Sequence, residues 1–118
     1  MQKKTACYLR PNRRRWGLTQ SELALLLGVH SGSAISRIEL GESAPTLEVA
    51  LGCQILFGLT PMELFPGAFS SIEEQVIARG YELYENLQGD ASTANHFKLN
   101  FFEQAFSRAT ARLKNAEV

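Results

Sequence analysis

Apolar residues recur along the chain at three- and four-residue spacing, in runs broken by glycine and proline. That is the periodicity of helices laid on a core, and no stretch alternates in the manner of a strand. Pro11 suits a first helical turn, where its missing N–H would have no partner. It predicts a short helix from about Arg10 to Trp16, closed by Gly17. Thr19 with Glu22 three residues on forms a capping box for a second helix, which runs through Leu23, Ala24, Leu26 and Leu27 to Gly28. A third segment starts near Ser31 or Ser33, is anchored by Ile35 and Ile38 one turn apart, and ends at Gly41. Pro45 and Thr46 open a fourth helix, filled by Leu47, Ala50, Leu51, Gln54, Ile55 and Phe57 and stopped at Gly58. Thr60-Pro61-Met62-Glu63 is a second capping box, opening a short turn to Phe65.

Pro66-Gly67 is the strongest punctuation in the chain and sets the expected domain boundary. Beyond it, Ser71 and Glu74 make a third capping box. Ile72, Val76, Leu83, Tyr84 and Leu87 then line one face, and Gln88-Gly89-Asp90 reads as a turn. The last helix is expected from about Ser92 to Lys114. It carries two apolar stripes: Phe97, Phe101 and Ala105 on one, and Leu99, Phe102, Phe106, Ala109 and Leu113 on the other. One hairpin partner needs only one stripe, so the spare one must meet the N-terminal domain or another subunit. The expected fold class is all-α, a five-helix bundle followed by a C-terminal two-helix hairpin. The expected organisation is an arm at 1–8, a bundle at 9–66 and a hairpin at 67–118, which serves dimerisation or partner binding.

Residues 20–41 have the make-up of two helices meeting at a sharp corner. Ala24 is small where the helices cross, and Gly28 tolerates the positive φ of the turn. Leu23, Val29, Ile35 and Ile38 fill the inside of the corner. The outward face of the second helix stays free, and a helix of this kind fits a DNA major groove. Charge changes the picture further. The net charge is zero, yet residues 1–16 hold six basic groups (Lys3, Lys4, Arg10, Arg13, Arg14, Arg15) and no acid. Residues 17–66 hold Arg37 alone against five acids, and residues 67–118 hold five basic groups and seven acids. A basic end on a neutral chain points to a polyanion partner.

Arg13, the run Gly17-Leu18-Thr19-Gln20-Ser21-Glu22-Leu23-Ala24, then Leu27-Gly28-Val29, Ile35-Ser36-Arg37-Ile38-Glu39, Gly41, Pro45 and Leu47 resemble the Cro and lambda-repressor-like (XRE) helix-turn-helix family. The resemblance covers Leu9 to Phe65, a little under half of the chain. It implies a five-helix bundle and a sequence-specific transcriptional regulator, a repressor acting as a homodimer on double-stranded DNA. It also implies residue roles. Gln20 would bind a backbone phosphate at a helix N-terminus. Gly32, Ser33, Ser36 and Arg37 would face base edges, with Arg37 suited to the O6 and N7 of guanine. Arg13 and Glu39 would form an internal ion pair.

Two departures stand out. From Gly28 to Glu39 the chain has one residue more than the family spacing. Without a gap, Ala34 and Arg37 would fall on the corner's apolar positions, and burying Arg37 would be costly. The extra residue therefore belongs among His30, Ser31, Gly32 and Ser33. The loop after the recognition helix carries Leu40 and Glu42 where a cation is common. Phosphate neutralisation then falls to Arg10, Arg14, Arg15, Lys3 and Lys4, with Ser31 as a further phosphate contact. The alternative reading is an antitoxin or adaptor that uses the same fold on a protein partner.

The sequence offers little for other chemistry. Cys7 and Cys53 have neither metal-ligand spacing nor a disulfide framework, and no second ligand stands near His30 or His96. No metal or cofactor is expected, and no nucleophile stands beside a base, so an enzyme is not expected. Cys53 reads as core, and Trp16 as core or helix-end packing. No apolar run reaches membrane-spanning length and none follows Lys3 and Lys4, so no membrane association, no secretory signal and a cytoplasmic location are expected.

Overall fold

A computed structural model of the chain describes residues 6–89 and 92–116. These residues form seven helices and no strand: α1 Leu9–Arg15, α2 Gln20–Leu27, α3 Gly32–Glu39, α4 Leu47–Phe57, α5 Pro61–Leu64, α6 Pro66–Leu87 and α7 Thr93–Ala116. Contacts divide them into two compact units, one ending at Ser71 and the other beginning at Ile72.

The first unit is built as its local signals dictate. Thr19 and Thr60 each accept a hydrogen bond from the N–H three residues on, and Glu22 and Glu63 return the bond to the cap. Thr46 caps α4 from Val49 N–H. Gly17, Gly28, Gly41 and Gly58 all close their helices at positive φ. The short helices turn one side each to a shared core of Leu9, Leu23, Ala24, Ile35, Ile38, Val49, Ala50, Cys53, Leu64 and Phe65. A fully buried side chain of this kind stabilises by about 1.5–3 kcal/mol. Burial pushes the Cys53 thiol up to about 11, with a smaller contribution from Cys7, so it stays protonated at neutral pH. The start of the unit is pinned to its end, since Tyr8 N–H donates to Leu64 C=O and Gly67 N–H to Ala6 C=O. Residues 6–8 are therefore docked rather than part of a free arm, and Lys3 and Lys4 lie outside the described residues.

Helix α6 departs from the expectation. It begins at Pro66, not Ser71, so the Ser71–Glu74 motif lies inside a helix and caps nothing. Proline is well suited to a first helical position, so Pro66 starts a helix at the place where Pro66-Gly67 predicts a boundary. The expected apolar face is covered only in part. Ile72, Val76 and Leu83 are exposed, while Ile77, Gly80, Tyr84 and Leu87 are half-buried.

In the second unit α6 runs antiparallel to α7. Arg112 Nε meets Glu73 Oε2 at 2.6 Å near one end. Tyr81 stacks on Phe106 with ring centroids 4.0 Å apart in the middle, and Asn95 Nδ2 reaches Leu87 C=O near the turn. Gly80 allows the close approach, because a Cβ there would lie 3.2 Å from the Phe106 ring. Of the two α7 stripes, Leu99, Phe102, Phe106 and Ala109 turn inward, whereas Phe97 and Phe101 are exposed, as is Leu113 near the helix end.

Candidate nucleic-acid interface

The corner between α2 and α3 is set by burial on one side and by a close backbone approach on the other. Leu23, Ala24, Ile35 and Ile38 are buried, and Val29 N–H donates to Ala24 C=O across the turn. Ser31 is the N-cap of α3 in extended conformation, so Gly32 is the first helical residue and the extra residue is taken up before it. With Ile35 and Ile38 turned inward, the 3.6-residue period carries Ser33 and Arg37 outward. Both are exposed, and Ser36 is half-buried. Gly32 sits differently. A Cβ there would lie 3.3 Å from Gln20 Cβ, Ser21 N and Ser21 Oγ. Its place is against the first turn of α2, where it lets the two helix starts approach, and not on the outward face with Ser33 and Arg37.

Beside this corner lies a buried carboxylate that joins three helices. Glu39, at the end of α3, has a fully buried side chain. Arg13 of α1 grips it bidentately, Nε to Oε2 at 2.6 Å and Nη2 to Oε1 at 3.2 Å, and donates Nη1 to Leu18 C=O. Gln20, the first residue of α2, donates Nε2 to Oε1 at 2.9 Å. Arg10 Nε stands 3.5 Å from the same oxygen. Burial alone would raise the Glu39 carboxyl, but the bonds from Arg13 and Gln20 and the charges of Arg13 and Arg10 outweigh it and hold the group below its ordinary value.

This network was only half legible beforehand. The Arg13–Glu39 pair was expected from the resemblance, but the hold of Gln20 and Arg10 on the same carboxylate was not. Its consequence is positional. Gln20 and Arg10 meet at one oxygen, so a half-exposed guanidinium is parked beside the N-terminus of α2. Gln20 keeps its carbonyl and a second N–H for an outside partner. Among the other cations, Arg14 is exposed and Arg15 lies over the Trp16 ring at 5.4 Å. Trp16 is 65% exposed at the end of α1, so it packs under Arg15 rather than in the core. Ser31 is exposed and makes no side-chain cap bond, and His30 is exposed in the turn. Leu40 and Glu42 are exposed after α3, where Glu42 N–H and Ser43 N–H fold back onto Arg37 C=O. Among the described residues no group of histidine, cysteine and acidic side chains could hold a metal ion.

Residues 13–64 match the family model described as helix-turn-helix. This stretch is a helix-turn-helix domain of the Cro and lambda-repressor-like kind. No curated protein and no solved structure matches the chain. The matched stretch begins at Arg13 and ends at Leu64, so it takes in the Glu39 network except Arg10, and all of α2 to α5. A helix-turn-helix of this type is a DNA-binding regulatory domain rather than an enzymatic one. In a helix-turn-helix the second helix of the motif is the one that enters the groove, the position that α3 holds here, and the start of α2 stands beside its first turn. No helix among the described residues is long and apolar enough to cross a membrane.

Proposed function

We propose that the chain is a sequence-specific transcriptional repressor that binds double-stranded DNA as a homodimer. The observation that carries this reading is the outward face of α3, where Arg37 and Ser33 are exposed while Ile35 and Ile38 anchor the helix. Arg37 reads guanine through its two-pronged guanidinium. Ser33 and Ser36 add single hydrogen bonds, which discriminate less. Gln20 and Arg10, held together at Glu39, take one backbone phosphate at the α2 N-terminus, where helix N–H groups already favour an anion. Ser31, Arg14 and Arg15 add phosphate contacts. Two subunits meet two half-sites about 34 Å apart, one turn of the duplex. The C-terminal hairpin supplies the dimer contact.

Selection of bound fragments from a genomic DNA library, with Arg37→Ala alongside, tests the reading. A recurring inverted repeat is expected from the native chain, with one base position blurred and affinity reduced about 5–150-fold in the variant, as for a lost bidentate contact of roughly 1–3 kcal/mol. Identical motifs from both proteins would remove Arg37 as the reader.

A second reading has its own support. The described residues of the first unit hold five arginines (10, 13, 14, 15, 37) and five glutamates (22, 39, 42, 48, 63), so they are neutral. Arg13 is spent on Glu39, and Glu42 follows the recognition helix. Such a face also suits a protein partner, as in an antitoxin or adaptor. Binding to DNA that fails to weaken steeply between about 50 and 200 mM salt, together with a co-purifying protein, would favour it.

A further inference from the structure

The second unit has an apolar side and a polar side, and the apolar side is uncovered. Each residue of a helix turns about 100° from the last. Measured from the α6–α7 contact, Ile72, Val76 and Leu83 lie about a quarter-turn to one side of α6, and Ala105 and Phe101 lie roughly a quarter- to a third-turn to the same side of α7, with Phe97 closer to a half-turn and with Arg79 and Arg108 flanking the stripes. The opposite side is fixed independently by Tyr81 stacking on Phe106 and by Tyr84 Oη donating to Glu103 Oε1. The stripes of the two helices therefore merge into one face. Its large side chains are 56% (Ile72), 54% (Val76), 48% (Leu83), 72% (Phe97) and 60% (Phe101) exposed.

We propose that this face is covered by the same face of a second copy, giving an isologous four-helix bundle. The proposal rests on the homodimer reading and assigns its interface. Two observations commit the occupant. Among the described residues of this unit only Asn95 and Ala109 are buried, too little for a two-helix hairpin to stand by itself. At roughly 150–200 Å² for each fully exposed side chain of this size, the face offers about 500 Å² of apolar area, near the upper limit for an uncovered monomer patch. Two copies together bury about 1,000 Å² before any rim is counted, about the minimum for a specific interface.

Sedimentation equilibrium of the full chain without DNA tests the assignment. The native chain is expected to be a dimer at low micromolar concentration. Phe101→Glu and Val76→Glu, on different helices of the same face, are each expected to weaken the dimer at least tenfold with the helical circular dichroism unchanged. His96→Glu, on the polar side, is expected to leave it intact. A monomeric native chain, a native chain bound only to some other polypeptide, or a Phe101→Glu variant still fully dimeric would each overturn the proposal. Arg37→Ala is expected to dimerise normally, so failure of the DNA reading and failure of the interface give different results.

Discussion

Unit one and unit two are both helical and both read from the same three- and four-residue periodicity, yet they end with different amounts of interior. The first gathers ten buried apolar side chains from five helices and ties α1, α2 and α3 together through Glu39. The second buries Asn95 and Ala109 among its described residues and leaves Phe97, Phe101, Ile72 and Val76 more than half exposed. Two long helices have one mutual contact face, however many apolar residues they carry. Five short helices crossing at angles have several. The periodicity that specifies a helix therefore does not specify a closed core. Whether a stripe is covered depends on how many other stripes can reach it.

The largest effect that would break the comparison lies at Glu39. Glu39→Gln keeps the shape of the side chain but leaves the buried Arg13 guanidinium without its counter-charge. Loss of one partner of a buried pair costs about 3–5 kcal/mol, a large part of what a domain of this size has. Thermal unfolding of the first unit is expected to shift strongly downward, with dimerisation through the second unit retained. The pH dependence has a definite sign. The Glu39 carboxyl lies below its ordinary value when folded, so its contribution is fully present above the unfolded value of about 4.3. It is lost as the pH falls from there through the lower folded value. Native protein should lose stability over that acid window, and Glu39→Gln should show a flatter profile there. Equal acid sensitivity in both proteins would show that other carboxylates carry it.

How much of this was legible beforehand follows the same divide. In the first unit most helix starts and stops have a local cause: the caps at Thr19, Thr46 and Thr60 open α2, α4 and α5, and the positive-φ glycines at 17, 28, 41 and 58 close α1 to α4. Local chemistry is written in the sequence, so those bounds could be read within a residue or two. The register of α3 was also readable, because only one placement kept Arg37 out of the core. The meeting of Gln20 and Arg10 at Glu39 was not. It depends on the angle between α1 and α2, which no spacing reveals. In the second unit Ile72, Val76, Leu83, Tyr84 and Leu87 are expected on one face, but only Tyr84 and Leu87 of these are half-buried, beside Ile77 and Gly80, which the pattern does not single out. An apolar stripe on α6 was visible, but α7 meets the helix about 80° away from it. A glycine that admits the Phe106 ring looks in sequence like any helix glycine.

A smaller effect sharpens the comparison at the two turns. Gly28 has φ +69° and nothing within 4 Å of a built Cβ, so Gly28→Ala meets backbone strain alone. That costs about 1–2 kcal/mol, and denaturant titration of the first unit should show it at any protein concentration. Gly89, in the hairpin turn, has φ +94° and equally open surroundings. Gly89→Ala should be similarly strained, but if the second unit is stable only as a dimer its loss should depend on protein concentration. Matching concentration dependence at both sites would erase the distinction between a self-sufficient unit and a partner-dependent one.

The smallest effect concerns one motif with two outcomes. Thr19-Gln20-Ser21-Glu22 and Ser71-Ile72-Glu73-Glu74 both read as capping boxes. Only the first caps a helix, with Thr19 Oγ1 accepting from Glu22 N–H at 3.0 Å and Glu22 Oε1 from Thr19 N–H at 2.9 Å. Upstream context decides between them. Gly17 ends α1 two residues before Thr19, so a new helix needs a cap there. Pro66 has already started α6 five residues before Ser71, so the N–H groups there are inside the helix and need none. Thr19→Ala is therefore expected to cost about 1 kcal/mol, the usual value of a lost N-cap. Ser71→Ala is expected to fall within about 0.5 kcal/mol of the native chain, since alanine is the better residue in a helix interior. Equal losses would mean that α6 restarts at Ser71, and that the two units are divided by a break in the helix as well as by their contacts.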